Sequence, residues 1–269
     1  MLKTLGYHMY ACGKKGLPKK IDISAGSYNL RKVLKHDFFA ATALYELATP
    51  TNTTETRSPS RLILKMGRQQ HFIGLPLRWL GKIICSHEIS ILSRLSHLQQ
   101  IPHILDRWGK TGFTYEYIEG QTLDENKNLP DDFFDNLIEL TRQIHQNNVV
   151  YVDSNKRNNL LLGDDGKPYI IDFQISQHFK QRPLFFKRFS SKLKHALQRA
   201  DIYHILKHKR RICPHLLKPE EKIKSRRTGK LIDLHRMVAT PFRKLRRRFL
   251  KLLYDKGVLA DDDSIYPND

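Results

Sequence analysis

The chain has only three cysteines, Cys12, Cys85 and Cys213, in 269 residues. They are odd in number and far apart, which argues against a disulfide framework and fits a reducing, cytoplasmic compartment. Cys85 with His87, and Cys213 with His215, match no zinc-ligand spacing. No apolar run approaches the ~18–20 residues of a membrane span. The first twelve residues hold two tyrosines and a histidine, which argues against a signal peptide. Internal repeats are absent. Between Leu34 and Tyr45 there is no glycine at all, and that absence matters below.

What is there is a globular composition, 40% hydrophobic and 28% charged. The length suits one large domain or two small ones. The net charge of +20 is unevenly placed. Residues 180–257 contain 25 Lys/Arg against 5 Asp/Glu, and the rest of the chain has 22 of each. The whole excess therefore lies in the last third. Such a segment suits a polyanion, whether a membrane surface, nucleic acid or a phosphorylated glycolipid, or else forms a solvated basic face.

Residues 1–20 read as a loose basic leader. Strands are expected over 21–47, with a turn at Ala25-Gly26-Ser27, then a Thr/Ser/Pro-rich hairpin loop over 49–60. Residues 61–66 form a short buried strand that carries Lys65. Ile84, Ile91, Leu92, Leu95 and Leu98 place a helix over 78–98, with Glu88 inside it. Two strands follow, over 101–108 and 113–118. The polar run 120–127 breaks the pattern. A helix over 131–148 is signalled by Phe134, Leu137, Ile138, Thr141 and Ile144, with His145 at its end as a packing residue. Leu160-Leu161-Leu162 and Tyr169-Ile170-Ile171 form a hairpin around Asp165-Gly166. Near the end, Thr240-Pro241 opens a helix with Phe242, Leu245, Phe249, Leu252 and Leu253 on one face and six basic residues on the rest. That helix can pack on a core, lie on an anionic membrane, or, third in order, meet RNA.

The stretch VVYVDSNKRNNLLLGDDGKPYIIDFQIS, residues 149–176, carries the chemistry. An aspartate, Asp153, closes an apolar strand and leads into a polar loop. An asparagine, a hairpin and a second aspartate, Asp172, follow. Phosphoryl transfer needs a carboxylate to accept a hydroxyl proton, and an Asn and an Asp to hold Mg²⁺ against phosphate oxygens.

This order resembles the catalytic core of the protein-kinase-like superfamily, H-R-D-x-x-x-x-N followed by D-F-G. Tyr151-Val152-Asp153 stands for the first triplet and Asp172-Phe173-Gln174 for the second. Upstream, Lys65 is placed like the lysine of the family's V-A-I-K strand, and Glu88 like its pairing glutamate. The stretch 115–120, with Glu116, Tyr117 and Ile118, looks like the hinge whose backbone binds adenine. The resemblance spans roughly residues 21–180. It implies a two-lobed α+β fold: an N-lobe over 21–118, rich in strands with one main helix, and a helical C-lobe over 119–257, with an acidic tail over 258–269. It implies ATP and Mg²⁺ as cofactors, Asp153 as catalytic base and Asp172 as metal ligand. Counting five forward from Asp153 gives Asn158 as the second ligand; counting thirteen back from Asp172 gives Asn159, which keeps the next strand in register. Lys156 then falls where Ser/Thr-type kinases place a lysine that neutralises the γ-phosphate.

The departures define the branch. The family's Gly-rich loop is replaced by residues 35–42, where small Ala40 and Ala41 and the Thr42 hydroxyl are the features left to admit phosphate. Val152 replaces the family's arginine, and Gln174 the glycine of D-F-G. A full activation segment is missing, and the chain runs into basic helices in which Asp201 is a candidate brace for the catalytic loop. These traits resemble RIO-type kinases and the bacterial lipopolysaccharide-core sugar kinases. The expected activity is phosphoryl transfer from ATP to a hydroxyl, of protein Ser/Thr or of a membrane glycolipid sugar, peripheral to the membrane in the second case. A pseudokinase that binds RNA or anionic membrane is the reading from a different class.

Overall fold

The computed structural model describes residues 10–48, 58–71, 76–125, 128–180 and 184–226. The expected basic amphipathic helix after Thr240, the acidic tail and most of the 49–60 loop lie outside them. The protein is mixed α+β and divides into two compact units. Among the described residues the first comprises 10–89 and 103–117, and the second 90–102 and 118–226. No helix among the described residues is long and apolar enough to cross a membrane.

The first unit is built on β1 (Lys20–Ile23), β2 (Gly26–His36), β3 (Ala40–Leu47), β4 (Arg61–Gly67), β5 (Ile104–Trp108) and β6 (Gly112–Glu116). They form one antiparallel sheet in the order β1-β2-β3-β4-β6-β5. Strand β4 lies in its interior, with Leu62, Ile63 and Leu64 all buried, so a continuous apolar run fits it better than alternation. The core gathers Ile21, Tyr28, Ala43, Tyr45, Leu62, Leu64 and Met66. Helix α1 (Arg78–Arg94) follows β4 and carries Glu88.

Residues 10–20 are not the loose leader expected. Ala11, Cys12 and Leu17 are buried in that same core. The Ala11 amide donates to the Asp37 carbonyl, its carbonyl accepts from Gln69, and the Cys12 amide donates to His36 Nε2. A glycine-lysine-rich stretch reads as polar from composition, but its apolar residues Tyr10, Ala11, Cys12 and Leu17 are buried.

The second unit holds the amphipathic helix α2 (Phe133–Gln146), with Phe134, Leu137, Ile138, Thr141 and Ile144 on its buried face. It stops at Asn148, which adopts the left-handed conformation (φ 55°) that asparagine tolerates. Strand β8 (Val149–Val150) follows, then β9 (Leu160–Gly163) and β10 (Pro168–Ile170), paired around the Asp165-Gly166 turn as the sequence predicts. Two short strands escaped the sequence. Strand β7 (Gly120–Thr122) pairs with β9 inside the supposed break, and β11 (Gln177–His178) pairs with β8. Two-residue and three-residue strands are too short to leave a periodicity. Helix α3 (Leu184–Ile212) crosses this unit, and α4 (Pro219–Lys224) is tied back by Lys209. That buried ammonium lies 2.6 Å from Asp135 of α2 and 3.0 Å from Glu221 of α4.

Candidate active site

In the first unit, Lys65 on β4 and Glu88 on α1 meet as a buried ion pair, Nζ to Oε1 2.7 Å. Burial raises the cost of either charge alone, so each holds the other in place. Their pairing joins a central strand to the only α-helix of this unit among the described residues. Glu116 ends β6, where its amide donates to the His103 carbonyl at 3.0 Å. The Tyr117 ring lies under the Arg61 guanidinium at 5.3 Å. Ile118 opens the second, longer stretch of the second unit.

The turn between β2 and β3 departs from the expected phosphate cradle. Asp37 Oδ1 accepts hydrogen bonds from the Phe39 amide (2.8 Å) and the Ala40 amide (3.0 Å). Ala40 and Ala41 are buried in β3. Against the upward push of burial, the Ala40 amide, the Lys35 ammonium and the Phe39 amide hold the Asp37 carboxyl below the usual range. A carboxylate of this chain thus occupies amides that the missing glycines would have offered to phosphate.

In the second unit the loop 151–159 is held by one acid from a distant helix. Asp201 of α3, 1% exposed, accepts from the Tyr151 amide (2.9 Å), the Val152 amide (2.9 Å) and the Ser154 hydroxyl (2.8 Å). The His145 ring nitrogen Nε2 lies 3.0 Å from it as well. Asp201 is the brace that the sequence suggests, and His145 packs at the loop as expected. Tyr151 sits inside, its hydroxyl donating to the Ile171 carbonyl (2.5 Å) and its ring edge-on to Phe173 at 5.0 Å.

So fixed, the loop presents Asp153. Its carboxylate accepts from Lys156 Nζ at 2.6 Å and from Asn159 Nδ2 at 3.0 Å. Burial pushes the Asp153 carboxyl above its ordinary range; Lys156 pulls it down, the Asp172 charge adds to the rise, and Asn159 opposes it. Asp172 is half-buried and close enough for its charge to act on both Tyr151 and Asp153. The Ile171 amide donates to the Asn159 carbonyl at 3.0 Å, locking the two ends of the hairpin together.

Of the two asparagines, Asn159 is buried and donates to Asp153, whereas Asn158, its neighbour in the short 3₁₀ turn Arg157–Asn159, is exposed. Asn158 is therefore not gathered with Asp153. Val152 (φ 71°) and Asp172 (φ 61°) both adopt left-handed backbone, which for a β-branched valine is strained. Such strain persists where surrounding structure over-determines it, and it gathers at functional sites. Ser154 and Ser176 also support the loop and were not singled out by sequence; they carry no spacing signal, since their partners Asp201 and Tyr151 lie 47 and 25 residues away.

Among the described residues no three His, Cys, Asp or Glu side chains cluster to hold a metal on their own. The buried thiols are inert, Cys12 pushed up to about 12 and Cys85 to about 11 by burial. No family model matches this chain, and no curated protein matches it either.

Proposed function

We propose that this protein is an ATP- and Mg²⁺-dependent phosphotransferase of the protein-kinase-like type, with a hydroxyl as acceptor. The observation that carries it is Asp153, held by Lys156 and Asn159 and facing the charge of Asp172 across one short hairpin. The sheet order of the first unit agrees with a kinase N-lobe preceded by one extra strand, and the Lys65–Glu88 pair agrees with its phosphate-holding lysine.

Asp153 takes the proton of the acceptor hydroxyl as its oxygen bonds to the γ-phosphorus. The bond from that phosphorus to the bridging oxygen breaks, and ADP leaves with the electron pair. Lys156, beside the base, offsets charge on the phosphoryl group in transfer. Asn159 and Asp172 would hold Mg²⁺ through the hard oxygen donors that it prefers. Bound Mg²⁺ would neutralise charge on the phosphate oxygens. Lys65, fixed by Glu88, holds the phosphates, and the backbone of Glu116, Tyr117 and Ile118 receives adenine.

One observation favours a second reading, a pseudokinase binding module: the amides of the β2–β3 turn are already filled by Asp37. Transfer of labelled γ-phosphate decides between the two. Wild type should transfer with Mg²⁺, while Asp153→Asn and Asp172→Ala fall by about 10²–10⁴-fold. Equal, background-level transfer by all three proteins would leave only the binding module.

A further inference from the structure

The turn between β2 and β3 spends its amides internally. The Asp37 amide donates to the Ala40 carbonyl at 2.9 Å, and the Phe39 and Ala40 amides donate to Asp37 Oδ1. Arg68, fully buried, clamps the turn from behind. Its Nη1 donates to the Phe38 carbonyl at 2.9 Å, its guanidinium lies 3.9 Å from the Phe38 ring centroid, and its amide donates to the Phe39 carbonyl at 2.8 Å. Several of these bonds would have to break together before this backbone could face a phosphate.

Side chains are left to meet it, and the strand register says which. Lys35 of β2 stands opposite Thr42 of β3, and Thr42 stands opposite Lys65 of β4. Residues directly opposite in an antiparallel pair share a face. The three therefore form one row, cation, hydroxyl, cation, across three neighbouring strands. It lies on the face where Lys65 reaches Glu88 of α1, whereas Ala41, Ala43, Leu64 and Met66 belong to the core on the other face. The register of β2 slips by one residue between Val33 and Lys35. Without that slip Leu34 would stand opposite Thr42; such irregularities re-aim side chains beside functional sites. Two strand spacings, about 10 Å, separate the backbones of Lys35 and Lys65. From there two long lysine stems can converge on a chain of two or three phosphates.

We propose that Lys35 and Thr42 are phosphate-binding residues, holding the nucleotide's phosphate chain beside Lys65 in place of backbone amides. This rests on the phosphotransferase reading. A filled turn is then compatible with transfer, because the row uses none of its amides. Composition already offers the Thr42 hydroxyl; only the register adds Lys35. The Lys35 ammonium lies 3.0 Å from Asp37, but both side chains are partly exposed, and exposed pairs are weak. An ammonium has three donors, so one can stay on Asp37 while the others take phosphate oxygens. The Asp37 charge is offset where it stands, by Lys35 and by the Phe39 and Ala40 amides. Asp37 is then a positioning residue that closes the turn and tethers Lys35.

Calorimetry on the full chain tests this with Mg·ATP, adenosine and tripolyphosphate as probes. Lys35→Gln and Thr42→Val should each weaken Mg·ATP about ten- to a hundredfold and leave adenosine unchanged. Lys35→Arg and Thr42→Ser should recover part of the loss, with melting curves confirming the fold. Mg·ATP affinity unchanged in either variant, with wild type binding Mg·ATP, overturns the row and leaves the phosphotransferase reading standing. Equal losses for adenosine and Mg·ATP also overturn it, since the two residues would then shape the sheet rather than meet phosphate. Tripolyphosphate binding that needs Lys35 and Thr42, in a protein that ignores adenosine and Mg·ATP, supports the row and sinks the phosphotransferase reading instead. A wild type that binds none of the three probes sinks both.

Discussion

The Lys156 ammonium lies 2.6 Å from the Asp153 carboxylate, three residues away along the loop. One side chain thereby holds the charge of the group expected to act as base, against burial and the field of Asp172. Asp153 sits above the ordinary carboxylate range, so the acid limb of kcat/KM should lie above that range too. Lys156→Met removes a downward pull and should move the limb to higher pH while lowering the rate. A limb that stays in place would show that Lys156 does not tune Asp153. The stability effect has the opposite sense: the folded chain holds this proton more tightly than the unfolded one. Its contribution is full below the ordinary carboxylate range and is lost as pH rises through the raised value.

Lys65 and Glu88 form a pair with both members under a tenth exposed. Lys65→Met alone leaves a buried carboxylate without its cation and should cost about 3–5 kcal/mol in urea unfolding. Lys65→Met/Glu88→Leu should recover most of that loss, yet remain without nucleotide affinity. Additive losses in the double-mutant cycle would mean that the two side chains do not act as a unit.

Asp201 touches no substrate in the proposed reaction, but it shapes the loop that does. Asp201→Ala strips partners from two amides and a hydroxyl at once, each buried group costing about 1–3 kcal/mol. The variant should be destabilised by several kcal/mol, with transfer lost even where the fold persists. Asp201→Asn, which keeps acceptor capacity on one oxygen, should fall between. Hydrogen exchange at the Tyr151 and Val152 amides gives the direct readout; unchanged protection in Asp201→Ala would contradict the brace.

Much of this was legible beforehand, and the misses have physical causes. The β4 run, the α2 stripe and the Asp165-Gly166 hairpin each depend on local spacing, which sequence carries openly. Asp201 was readable only as a candidate, because its partners are some fifty residues upstream. Strand register already pointed to Asn159 over Asn158; that Asn159 is buried and donates to Asp153 while Asn158 is exposed was visible only in the coordinates. The burial of Ala11, Cys12 and Leu17 was missed because the stretch is tied to Asp37, His36 and Gln69, 24 or more residues along the chain.

His36 and His208 are both pushed down to about 4, burial being the first cause in each. A histidine with a lowered folded value supports the fold fully above its ordinary 6.5, and that support is lost as pH falls through the folded value. Unfolding midpoints in urea should therefore drop between pH 6.5 and 4, by roughly 3 kcal/mol per histidine at most. His208→Gln should flatten that slope by about half. A slope unchanged in both His208→Gln and His36→Asn would place the acid sensitivity elsewhere.

The grip of Asp201 on Tyr151 and Val152 also orders events in time. During synthesis the loop that begins at Tyr151 leaves the ribosome about fifty residues before the acid that shapes it. Until α3 has emerged and docked, those two amides have only water to bond. A nascent chain halted before residue 201 would carry Asp153, Asn159 and Asp172 without the acid that fixes their loop.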